Sequence, residues 1–155
     1  VSGSGAPIIT TPAADAVVEI VATQWHTAIM DGLVGGAIRG CEAAGARYRV
    51  TRVAGAFELV AVAEALARAG AEAVVALGVV IRGDTPHFDY VCEAVTRGLT
   101  DVSREHALAV GFGVLTVDTE EQALLRAGVE GSREDKGREA VEAALSTRAV
   151  LQQIS

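Results

Sequence analysis

Apolar and polar positions along the chain switch between two periods. Val17 to Thr23 is a short, mostly apolar run that fits a strand, and beyond Gln24-Trp25-His26 apolar residues recur at Ile29, Leu33, Ala37, Ile38 and Cys41. That second spacing is one face of a helix, which Gly45 ends. Arg47 to Val53 alternates as a strand, Gly55 interrupts it, and the alanine-rich stretch from Phe57 to Ala69 predicts a helix stopped at Gly70. Ala73 to Ile81 is almost continuously apolar, as a central parallel strand covered on both faces should be. Val91, Cys92, Val95, Leu99 and Val102 then form a helical stripe, and Val110 to Val117 predicts a fourth strand. Thr119-Glu120-Glu121-Gln122 has capping-box spacing for a helix ending near Gly128, and Ser132 to Asp135 opens a last helix running towards Gln153.

Strands alternating with helices imply a parallel sheet with right-handed crossovers. The expected fold is α/β: a three-layer αβα sandwich on a four-stranded parallel sheet, flavodoxin-like. Residues 17–155 read as a single domain, and residues 1–16, with Gly3, Gly5, Pro7 and Pro12, as a flexible arm. One Trp, two Tyr and three Phe, against many Ala, Val and Gly, leave the core to small side chains, which suits helices packed closely on a sheet. In such sheets ligands bind beyond the carboxyl ends of the strands, so the loops there are the place to look for chemistry.

Composition narrows the ligand. Asp and Glu number 20 against 13 Lys and Arg, a formal charge of −7, which opposes binding to nucleic acid or an anionic membrane and favours small-molecule substrates. The longest apolar run is too short to span a bilayer and the N-terminal residues lack a signal-peptide pattern, so a cytoplasmic setting is expected. Cys41 and Cys92 are far apart, with no Cys/His cluster at metal-ligand spacing. Neither a disulfide nor a metal site is indicated, and both thiols are expected to be reduced and buried.

The strand-end loops hold the unusual residues. After the third strand, Thr85 can cap a helix whose first position is Pro86, Gly83 allows a sharp turn, and the amides that follow, with the Thr85 hydroxyl, could cradle an anion such as phosphate. A capped helix without ligand would look the same, and Asp84 opposes an anion unless its side chain points away or a nearby Arg offsets it. His87 falls in the first turn, where the helix dipole favours the neutral ring that a general base needs. Trp25, beside His26, could stack on a planar heterocycle or fill the core. Glu58, after Ala56-Phe57, could accept hydrogen bonds from a polyol or merely complement a helix dipole. Arg126 near a helix C-terminus is electrostatically ordinary; Lys136 near a helix N-terminus is not, although Glu134 and Asp135 could compensate it.

Together, Gly55-Ala56-Phe57-Glu58, the run from Ala76 to Val91 through Arg82-Gly83-Asp84-Thr85-Pro86-His87-Phe88-Asp89, Glu120-Glu121-Gln122-Ala123, Arg126-Ala127-Gly128 and Lys136-Gly137 resemble the lumazine synthase family, from about Val17 to the last helix. The resemblance implies condensation of 5-amino-6-(ribitylamino)uracil with 3,4-dihydroxy-2-butanone 4-phosphate to 6,7-dimethyl-8-ribityllumazine, the penultimate step of riboflavin biosynthesis, with no cofactor. It implies that Trp25, with His26 beside it, stacks on the pyrimidine, that Ala56, Phe57 and Glu58 hold the ribityl chain, and that Val79, Val80 and Ile81 face the ring. Gly83, the Asp84 backbone and Thr85 would hold phosphate with Arg126, and His87 would assist proton transfer. It further implies a homopentamer with sites between subunits, to which Phe112, Arg126 and Lys136 come from the neighbour. The chain departs from the family in having Trp25 where many members have Phe, in having Leu59-Val60 after Glu58 where a proline is common, and in the seven residues between Gly128 and Lys136, which differ from the shorter turn associated with sixty-subunit shells. An archaeal-type riboflavin synthase and a non-catalytic flavin-binding or shell-forming relative are the alternatives.

Overall fold

The computed structural model describes residues 4–7 and 9–155; the remainder of the expected arm, residues 1–3 and Ile8, lies outside the described residues. Four strands, β1 (Val17–Thr23), β2 (Arg47–Val53), β3 (Ala73–Ile81) and β4 (Ala109–Val117), form one sheet in the order β2-β1-β3-β4, all parallel. Five α-helices join them: α1 (Thr27–Ala44), α2 (Leu59–Arg68), α3 (His87–His106), α4 (Glu120–Leu124) and α5 (Lys136–Ile154). Alternate residues of the strands feed two cores, as the two-residue repeat requires. Val18, Ile20, Val75, Leu77 and Leu115 pack with α1 and α5, while Val21, Val74, Ala76 and Val114 pack with α2 and α3. The three-layer αβα reading therefore holds.

Close packing of α1 on α5 depends on glycine. A Cβ added to Gly137 would lie 1.9 Å from the Leu33 carbonyl oxygen, so no larger residue lets the helices approach this far. The Asp135 carboxylate fills the space over Gly36, accepts from the Arg138 amide as the cap of α5, and pairs with Arg39 at 2.8 Å. These contacts fix where α5 begins, and so where Lys136 stands.

Several local expectations change. The helix predicted from Phe57 begins as a 3-10 turn, Ala56–Glu58, before α2 proper. Every residue of β2 but Val53 is exposed, because the strand lies at the sheet edge with little helix over it. The capping box of Thr119 and Gln122 forms, but α4 stops at Leu124, well before Gly128. There the Leu125 carbonyl accepts from the amides of both Arg133 and Glu134, folding the chain back instead of extending the helix. Cys41 is buried as expected, whereas Cys92 is only half-buried. Within the segment read as an arm, Ala13 and Ala16 are buried and hydrogen-bonded to the backbone of Ala44 and Arg47. Among the described residues no helix is long and apolar enough to cross a membrane.

Candidate active site

The carboxyl ends of β1, β2 and β3 carry most of the residues singled out above. Trp25 follows β1 with 65 % of its surface exposed, in conflict with a core role. Its indole lies against Gly55: a Cβ there would stand 3.3 Å from the Trp25 Nε1 and 3.8 Å from a Glu58 carboxylate oxygen. Gly55 thus brings the ring and the carboxylate to one place. His26 opens α1 in the left-handed region, φ 58°, uncommon for a residue with a side chain and a local strain of the kind found at sites. The 3-10 turn buries Ala56 and leaves Phe57 and Glu58 exposed beside Trp25.

At the end of β3, Val79 points into the core with α1, so only its backbone is available to a ligand; Val80 and Ile81 are partly buried. Beyond them Gly83, Asp84, Thr85 and His87 are all exposed. Two expectations are corrected here. Gly83 is not in the left-handed region, and a Cβ on it would meet open space, so the turn itself does not require glycine. Thr85 does not cap α3: the helix starts from Pro86 with no side-chain cap, the Pro86 carbonyl accepting from the Asp89 amide. The Thr85 hydroxyl and the amides of His87 and Phe88, ahead of the bonded Asp89 amide, therefore remain open to an anion. His87 makes no hydrogen bond or ion pair to any described residue, leaving its ring nitrogens free for substrate.

Arg82 does not offset Asp84. Its Nε donates to Asp118 Oδ1 at 2.8 Å, Nη1 reaches Asp89 at 3.4 Å, and its guanidinium carbon sits 4.4 Å from the centre of the Phe88 ring. Sequence spacing hid this partnership. Ile81 and Val117 are register partners on neighbouring strands, so Arg82 and Asp118 are brought together only by the β3-β4 pairing.

Phe112 on β4, Arg126 after α4 and Lys136 at the start of α5 gather elsewhere, beside β4, whose one strand neighbour among the described residues is β3. They line a cleft of about 200 Å³ to which none of the residues at the β1, β2 or β3 ends contributes. Phe112 is 46 % exposed. Glu134 holds both cations, 3.6 Å from Arg126 and 3.7 Å from Lys136, and Glu139 adds a 3.1 Å contact to Lys136. The compensation foreseen for Lys136 thus comes from Glu134, while Asp135 caps α5 instead. Arg126 is held further by the Gln122 carbonyl at 2.9 Å. Within one chain the residues singled out from the sequence thus fall into two separate groups.

Residues 15–152 match the family model described as 6,7-dimethyl-8-ribityllumazine synthase. The chain is 57 % identical to the 6,7-dimethyl-8-ribityllumazine synthase of Streptomyces coelicolor, over 99 % of this chain and 97 % of that one. It is 58 % identical to that of Paenarthrobacter aurescens, over 99 % of each, and 57 % identical to that of Kineococcus radiotolerans, over 99 % and 96 %. Fold, strand-end residues and full-length similarity agree, and the chain belongs to the 6,7-dimethyl-8-ribityllumazine synthase family.

Proposed function

We propose that the chain condenses 5-amino-6-(ribitylamino)uracil with 3,4-dihydroxy-2-butanone 4-phosphate to 6,7-dimethyl-8-ribityllumazine, releasing phosphate and water, at sites shared between neighbours in a homopentamer. The observation that carries this reading is the exposed Trp25 indole set against Gly55 beside Glu58, next in the sheet to the open turn Gly83-Asp84-Thr85 and the unbonded His87. Trp25 stacks on the pyrimidine, and Glu58 with the backbone of Ala56 and Phe57 accepts and donates to the ribityl hydroxyls. Val80, Ile81 and the Val79 backbone border the ring, with His26 at its entrance. The amides following Gly83, together with Thr85, take the phosphate.

The pyrimidine amine attacks the ketone carbonyl and water leaves to give an imine; phosphate is then eliminated, and a second attack closes the ring with loss of water. His87 is placed to move protons between nitrogen and oxygen in these steps. Much of the acceleration comes from holding two reactants in one pocket. Phe112, Arg126 and Lys136 complete the pocket of the adjacent subunit, Arg126 supplying positive charge for the phosphate while Arg82 stays bound to Asp118 and Asp89. Support for a neighbour comes from the edge position of β4, which pairs with no strand but β3 among the described residues, and from its exposed Phe112, since apolar edge strands are normally covered. Residues 17–155 act as one catalytic domain, and of the segment before it residues 4–7 and Ile9 serve as an arm on that surface, lining a cavity of about 430 Å³ with Phe112 and Lys136. The cytoplasm is the setting proposed for this biosynthetic step.

Purified protein given both substrates is expected to form the lumazine chromophore and release phosphate. An assembled ring that forms none contradicts the reading, and riboflavin formed from lumazine alone would point instead to the archaeal-type dismutation.

A further inference from the structure

We infer that Arg82 is a positioning residue for the phosphate end of the site, one that ties the anion turn to the segment carrying Arg126. The inference rests on the proposed roles of the Gly83-Asp84-Thr85 turn and Arg126. Arg82 leaves β3 immediately before that turn, and its guanidinium is held on three sides: Asp118 at 2.8 Å, Asp89 in α3 at 3.4 Å, and the face of the buried Phe88 ring at 4.4 Å. Its backbone amide also donates to the Val117 carbonyl at 2.9 Å. A planar fork engaged by two carboxylates and a ring has little freedom to turn towards a ligand.

From Asp118 the chain of contacts continues. The Asp118 amide donates to Gln122 Oε1 at 2.7 Å, and the Gln122 carbonyl accepts from Arg126 Nη1 at 2.9 Å. One end of this path lies at the turn of a subunit's own site. The other lies at the arginine that serves the neighbour's site. Each exposed ion pair alone adds little to stability, but the Arg82–Asp118 pair and the Gln122 bonds together connect two loops that no other side-chain hydrogen bond or ion pair joins among the described residues.

The experiment compares Arg82→Ala, Arg82→Lys, Asp118→Ala and the Arg82→Ala/Asp118→Ala double variant, measuring KM for each substrate, the dissociation constant for inorganic phosphate, thermal melting and assembly mass. Arg82→Ala and Asp118→Ala should each raise KM for the phosphorylated butanone, and weaken phosphate binding, about tenfold, with KM for the pyrimidine changed less than about twofold. The double variant should be no worse than the worse single one, because both break one link. Arg82→Lys should restore only part of the loss, since an ammonium cannot reproduce the fork and the stacking. Phosphate binding that is unchanged or tighter in Asp118→Ala overturns the inference, because it would make Arg82 a direct ligand freed by losing its partner. Equal changes in both KM values also overturn it. If Arg82→Ala does not assemble, Asp118→Ala and Arg82→Lys decide alone. A parent protein that performs no condensation refutes the functional reading; an active parent with unaffected variants refutes only the role of Arg82.

Discussion

Trp25 rests its indole on the bare backbone of Gly55, at a distance where one methyl group would already crowd Nε1 at 3.3 Å. Gly55 has an extended backbone, φ −151°, that any residue can adopt, so its requirement is steric and comes from the ring. Gly55→Ala should therefore displace Trp25 while leaving the fold intact. Because Trp25 is the only tryptophan, its fluorescence reports the change directly. We expect altered emission and about a tenfold loss of kcat/KM, with less than about 1 kcal/mol lost in urea unfolding.

The α1-α5 contact offers the opposite balance of effects. Gly137→Ala improves helix propensity by about 1 kcal/mol, yet it drives a Cβ to within 1.9 Å of the Leu33 carbonyl, which cannot rotate away. Overpacking should prevail, and denaturant unfolding should show a net loss of about 2 kcal/mol or more.

Burial pushes the Cys41 thiol up to about 11, with a smaller contribution from the nearby Glu42 carboxylate. The folded protein keeps this proton where the unfolded chain, at about 9, has released it. The contribution to stability is complete below pH 9 and is lost as pH rises to about 11. Its size is on the order of 2–3 kcal/mol. Comparing unfolding at pH 8 and pH 11 should show a shallower pH dependence in Cys41→Ala than in the parent.

His87 should matter for rate more than for binding. His87→Ala is expected to lower kcat by about 100-fold while shifting KM for either substrate less than about threefold, measured by lumazine formation. Unchanged kcat would remove its proposed role in proton transfer.

The sheet was readable because its strands are short apolar runs separated by glycine and by helical stripes, and local pattern decides such elements. Where burial depends on strand order, local pattern fails. Arg47 to Val53 alternates like a half-buried strand, yet it is exposed because it is an edge strand with little helix packed over it, unlike β4, which α5 covers. In the site, Trp25, Glu58 and His87 could be proposed from their places after strands, since that position alone exposes them to a ligand. The fixing of Arg82 by Asp118 could not, because 36 residues separate them and only strand pairing joins them. Thr85 has the composition of a cap, but the helix takes its first turn from Pro86 instead.

The measurement that bears most directly on a shared condensing site is subunit mixing. His87→Ala and Arg126→Ala proteins should each be nearly inactive alone. Co-expressed in equal amounts and allowed to assemble at random, they should recover about a quarter of the parent condensation rate per site, because that fraction of interfaces pairs an intact His87 with an intact Arg126 from the neighbour. A mixture no more active than the mean of the two variants would contradict the account, since His87 and Arg126 would then serve one site within a single chain or not act together at all.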